Sequence, residues 1–157
     1  MKQVLLALWF ILLPTISKPA FSEGGSGKPM AEKDMTCMVT RWLNLTSRLD
    51  EKGPTGIPEI MALMHDDMVY IHTEFGANYD RAGLIDGFER SLKRADSRAG
   101  TFLITNIITG KNMVVTKRNI AWEEKTSEGW VHGKKDDLTT LFEFRDGKIW
   151  RITEYWD

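Results

Sequence analysis

From residue 101 to the end of the chain the sequence carries little that is not strand. "TFLITNIIT", "NMVVTKRNIAWEE", "WVHGKKDDLTTLFEF" and "KIWRITEYW" are long, rich in β-branched and aromatic residues, and separated only by short turn signals. Those signals are Gly110-Lys111-Asn112, Ser127-Glu128-Gly129 and Asp146-Gly147, the last suited to a tight hairpin. Strands so long and so closely connected must pair as antiparallel hairpins, and a long antiparallel sheet twists and curls. Its concave face then needs a cover from elsewhere in the chain.

The first half supplies that cover. Met35, Met38, Val39, Trp42, Leu45 and Leu49 recur at three- and four-residue steps, the stripe of an amphipathic helix that Gly53-Pro54 ends. "IPEIMALM" reads as a short second helix with Pro58 in its first turn. "DMVYIHT" reads as a strand and "EFGANYD" as a loop. Asp80 is a candidate N-cap for a third helix with Leu84, Ile85, Phe88 and Leu92 on one face. Helices first and hairpins after predict an α+β domain, a curved antiparallel sheet forming a cone capped by three helices of the N-terminal half.

The front end reads differently. Lys2, the apolar run Val4 to Leu13, Pro14 and the small residues around Ala20-Phe21-Ser22 form the pattern of a cleavable signal peptide, too short to span a bilayer. The expected division is signal peptide 1–22, flexible linker 23–30 and domain 31–157, in a secreted or periplasmic protein. Removing Lys2 and Lys18 from the 21 basic residues leaves 19 against 22 acidic, a net charge of −3. That balance points to neither nucleic acid nor an anionic membrane as a partner. Cys37 is the only cysteine, so no intramolecular disulfide is available, and its place on the first helix predicts a small buried residue. His65, His72 and His132 lack metal-ligand spacing, and no glycine-rich phosphate loop follows a strand, so neither metal nor cofactor is expected.

"MHDDMVYIHTEFG" and "FEFRDGKIWRITEYWD" together resemble the nuclear transport factor 2-like superfamily, in its SnoaL-like and ketosteroid isomerase-like branch. The resemblance runs from about Asp34 to Asp157. It implies a cone with a hydrophobic pocket, a small apolar ligand and a homodimer. It also implies site residues. The isomerases' proton-shuttling aspartate falls on His72, their oxyanion-binding acid on Asp137, counting back from Phe144, and their first-helix tyrosine on Trp42. Their last-strand aromatic matches Trp156. Glu154, two residues earlier, is an acid that the isomerase pattern lacks.

Strand alternation extends this set. Trp156, Glu154 and Ile152 share a face, as do His72 and Tyr70, and Trp122 and Ile120. The partner face of the preceding strand is expected to hold Asp137, Thr139 and Leu141. The candidate catalytic residues are therefore His72, Asp137 and Glu154, with Trp42, Tyr70, Trp122 and Trp156 as pocket walls. An imidazole titrating near neutrality can take a proton from a carbon next to a carbonyl, and a protonated buried acid can donate to the enolate oxygen. The resulting expectation is cofactor-free isomerisation, cyclisation or dehydration of a small apolar carbonyl compound, with a non-catalytic binding or interaction module as the alternative. Each residue also has a plainer reading. Asp137 follows Lys134, Lys135 and Asp136 in a charge cluster, His72 ends a strand, Glu154 lies near Arg151, and Trp42 sits on a core stripe.

Overall fold

The computed structural model describes residues 29–156. The expected signal segment lies outside that range, as does the linker apart from Pro29 and Met30. The elements run α1 (Glu32–Ser47), α2 (Leu49–Lys52), a 3-10 turn (Gly53–Thr55), α3 (Gly56–Ala62), β1 (Met64–His72), β2 (Ala77–Tyr79), α4 (Arg81–Arg94), β3 (Ser97–Gly110), β4 (Met113–Thr126), β5 (Gly129–Arg145) and β6 (Lys148–Tyr155).

The first helix stops earlier than its apolar stripe. Thr46 Oγ1 donates back to the carbonyls of Trp42 and Leu43 at 3.0 and 3.2 Å, and Ser47 Oγ to that of Asn44 at 3.2 Å. Such back-bonding competes with the helix ladder and bends it. Arg48 then leaves the helical region, and Leu49–Lys52 forms a separate turn. Asp80 caps α4 as expected, its Oδ1 accepting from the Gly83 amide at 2.8 Å. Cys37 is exposed rather than buried: the inward stripe of α1 is Met35, Val39, Trp42, Leu43 and Leu45, and Cys37 falls off it.

The six strands form one sheet in the order β2-β1-β6-β5-β4-β3. Every pairing is antiparallel except β1 with β6, which is parallel, so the sheet is mixed rather than wholly antiparallel. Parallel neighbours need a long crossover, and everything from β2 to β5 intervenes here. The expected loop after β1 contains the three-residue strand β2, paired with Tyr70–His72. Asp146 and Gly147 both take positive φ, 50° and 77°, the backbone of a type I′ hairpin turn between β5 and β6. The core lies where α1 and α3 meet the concave face, with Val39, Trp42, Ile60 and Met64 packed against Phe142, Ile149 and Ile152.

One irregularity controls what faces the concave side. Arg118 pairs with Leu138 but Ile120 pairs with Lys135, so one residue of β4 stands opposite two of β5. Asp137 sits in this bulge at φ 61°, its amide donating to Asn119 Oδ1 at 3.0 Å.

Candidate functional site

Glu154 is the centre of the site. It pairs directly with His72 across the parallel β1/β6 register and with Thr140 across β5/β6. Only 2% of its side chain is exposed. Its Oε1 accepts from Arg118 Nη2 at 2.9 Å, and its Oε2 from the Tyr70 hydroxyl at 2.5 Å. His72 Nε2 lies 3.4 Å from the same Oε2. Arg118 Nη1 also donates to Thr140 Oγ1 at 2.6 Å, which fixes the guanidinium between β4, β5 and β6. A carboxylate with these three neighbours has little acceptor capacity to spare, so it orients its neighbours.

The imidazole is held by aromatic contacts. Its ring lies 4.4 Å from that of Phe75 and 4.6 Å, edge-on, from that of Trp156. With Nε2 turned to the carboxylate, Nδ1 is buried and has no partner among the described residues. Trp42 Nε1 and Trp156 Nε1 are likewise buried and unpartnered. Leaving a buried polar group unpaired costs about 1–3 kcal/mol, and three residues that line one depression each carry such a group. Tyr70 behaves as a permanent donor. Burial, then the Glu154 charge and hydrogen bond, push its phenol well above the ordinary value of 10.0. The residue is partly exposed along the wall, but its oxygen is directed at Glu154, and the surroundings of the oxygen govern its ionisation.

These groups line a cavity of about 840 Å³ that reaches from Glu154, along Arg118, Ile120 and Trp122 of β4, to Trp130 near the tip of the β4–β5 hairpin. That size suits a drug-sized molecule. Most charged groups on its wall are paired: Glu154 with Arg118, Lys135 with Glu74 at 2.7 Å, and Arg98 with Glu123 at 2.7 Å, while Asp50 accepts from the Ala99 amide at 3.0 Å.

The structure brings together six of the seven residues expected here. His72, Glu154, Trp42, Tyr70, Trp122 and Trp156 all line the cavity. Asp137 does not. Its side chain is 69% exposed and paired with Lys117 at 2.9 Å. The bulge adds a residue to β5 and shifts its alternation, so Leu138, Thr140 and Phe142 face inward in place of the expected Asp137, Thr139 and Leu141. Glu154 meets the buried Arg118 rather than Arg151, which contacts Glu143 instead.

Arg118 and Thr140 were not among the expected site residues. A signal for Arg118 exists: Val114, Thr116 and Arg118 alternate on one phase of β4, all buried, and an arginine on the inward phase of a strand needs a buried partner. Among the described residues no cluster of histidine, cysteine and carboxylate side chains is arranged to hold a metal ion.

A sequence model of the SnoaL-like domain matches residues 45–152. The chain belongs to the SnoaL-like domain family. No curated protein matches it. Solved structures similar to this SnoaL-like chain agree on the fold. A ketosteroid isomerase-like protein from Catenulispora acidiphila, in complex with trimethylamine, is 17% identical over 76% of this chain and 85% of that one, with a TM-score of 0.59. An LEH-like epoxide hydrolase of M. tuberculosis is 20% identical over 80% and 84%, TM-score 0.58. A SnoaL-like protein of Shewanella putrefaciens, proposed to be a polyketide cyclase, is 9% identical over 80% and 90%, TM-score 0.63. At these identities the likeness is one of architecture.

Proposed function

We infer that this SnoaL-like protein catalyses cofactor-free proton transfer on a small, largely apolar carbonyl compound bound in the cavity. The observation that carries the reading is the juxtaposition of His72 and Glu154. A buried carboxylate, itself fixed by Arg118 and Tyr70, faces one imidazole nitrogen and leaves the other unpartnered, enclosed beside the exposed Phe75 ring that stacks on the imidazole. That is how a carboxylate sets the tautomer of a catalytic histidine. Once Phe75 swings off the ring, Nδ1 takes the proton from the carbon beside the carbonyl, and the bond's electron pair moves onto the carbonyl oxygen. Glu154 stabilises the imidazolium through Nε2–H. The unpartnered indole N–H groups of Trp42 and Trp156 become donors to the enolate oxygen where the bound ligand displaces the side chains that enclose them, the role that the exposed Asp137 does not fill. Returning the proton to a different carbon gives isomerisation, and delivering it from the imidazolium to a β-hydroxyl, which leaves as water, gives dehydration.

The same reading takes the protein to be exported, with residues 1–22 as its signal, and to act as a homodimer. Supporting the dimer, Ile108, Val115, Leu141, Thr153 and Ile71 lie in register across five strands on the sheet face opposite Glu154. The non-catalytic alternative keeps the cavity and drops the chemistry. It is favoured by the pairing of most charged groups on the wall, which suits retention of a neutral guest without turnover.

Native mass spectrometry of the purified protein, followed by assay of a β,γ-unsaturated ketone, a β-hydroxy ketone and an epoxide, separates the two. Turnover of either ketone that His72→Gln abolishes supports catalysis. A co-purifying neutral molecule with no turnover of any member supports binding, and turnover of the epoxide alone redirects the reading to hydrolysis.

A further inference from the structure

Gly133 stands directly opposite Trp122 in the β4–β5 register. Its backbone is ordinary strand, with no positive φ to require glycine. Glycine in a strand interior weakens the strand and often marks a close approach. Here the approach is evident: a Cβ added at Gly133 would lie 2.4 Å from Trp122 Cε2, 2.6 Å from Cζ2 and 2.8 Å from Nε1. The indole thus lies flat across the bare backbone of β5. An added methyl group at Gly133 would have to lift the ring from the sheet toward the cavity that Trp122 lines.

The position of this ring along the site is set by β4. Arg118, beside the carboxylate, and Trp122 are four residues apart on one strand, about 13 Å at the usual rise. The Trp122 ring is therefore a wall in the half of the cavity away from His72 and Glu154, with Trp130 beyond it. At the catalytic end Trp42 and Phe142 are locked into the core. The Trp122 wall instead rests on the partly exposed hairpin, where its seat is a single glycine.

The geometry points to Trp122, seated on Gly133, as the residue that sets the longest ligand the cavity accepts. The inference rests on the ligand-binding reading above and adds its specificity device. Neutral medium-length molecules with one oxygen at the His72 end fit short of the indole, and longer ones must pass it.

The test is a homologous series of neutral 2-alkanones of increasing chain length, with affinity measured calorimetrically on the full chain. Gly133→Ala is expected to weaken the longest ketone bound by the wild type by about tenfold or more, since overpacking has that order of effect, and to spare the short ones. Trp122→Ala is expected to extend the series to longer ketones. In the Trp122→Ala background Gly133→Ala is expected to be silent, because the two act as one unit. Trp122→Phe, a milder change, gives an intermediate limit if Gly133→Ala alone fails to fold. An unchanged length limit in Trp122→Ala, or a Gly133→Ala effect that persists without the indole, overturns the inference while leaving the binding reading in place. Failure of every variant and of the wild type to bind any ketone overturns the binding reading, and this one with it.

Discussion

Arg118 and Glu154 form an ion pair at 2.9 Å across two strand positions of the sheet, with 4% and 2% of their side chains exposed. Neither charge has water to fall back on, so each depends on the other and on the Tyr70 and Thr140 hydroxyls. Removing one partner of a buried pair strands the other, at about 3–5 kcal/mol, whereas replacing both by apolar groups of similar size is often neutral. Arg118→Met is therefore expected to lose stability on that scale in urea denaturation. The double variant Arg118→Met/Glu154→Leu should recover most of the loss. Additive losses would show that the pair is not the element that organises the site.

Tyr70 gives a pH signature. Its phenol is held well above its ordinary value of 10.0 by burial first and by Glu154 second. The folded protein thus favours the neutral form. This contribution to stability is fully present below about pH 10 and is lost as the pH rises through the folded value. The melting temperature of the wild type should fall more steeply above pH 10 than that of Tyr70→Phe. A difference absorbance titration between the two proteins isolates the same phenol, which should ionise only as the fold opens.

The turn after β1 is tied down beside His72. Phe75 is 71% exposed yet stacks on the His72 ring, and the neighbouring Glu74 takes both of its carboxylate oxygens to Lys135 of β5 at 2.7–2.8 Å. A partly exposed pair of this kind contributes up to about 1 kcal/mol. Lys135→Ala should accordingly speed diethyl pyrocarbonate modification of His72 by up to about fivefold, read by peptide mass spectrometry with the exposed His132 as internal reference. Equal rates in the two proteins would mean that the turn does not limit access.

Asp137 supplies a negative prediction. It points to solvent from a bulge whose φ of 61° asparagine tolerates well. Asp137→Asn should leave stability within about 0.5 kcal/mol of wild type and leave turnover unchanged. A large loss of turnover would restore the sequence-based assignment.

That assignment shows where sequence reasoning runs out. Period alone separated α1 and α4 from the strands, and Asp80 and Asp146-Gly147 marked a helix start and a hairpin, because each depends on neighbours along the chain. The face shared by Glu154 and Trp156 was legible for the same reason. The bulge at Asp137 was not, since it is defined by the residue opposite, Asn119, and one extra residue reverses every side chain beyond it. The parallel pairing of β1 with β6 and the reach of Arg118 to Glu154 are likewise relations between distant segments. Neither leaves a local mark stronger than an arginine on the wrong phase of a strand.

If His72 moves a proton on a bound carbonyl compound, isotope exchange reads that step without knowledge of the natural substrate. Wild-type protein and His72→Gln are incubated in D2O with a neutral 2-alkanone shown to bind, and deuterium entering the carbon next to the carbonyl is followed by proton NMR. Exchange is expected in the wild type above the buffer rate, reduced in His72→Gln by about 100-fold or more, the usual contribution of a positioned acid–base group. Equal exchange in the two proteins, or none above buffer with the ketone bound, would contradict it.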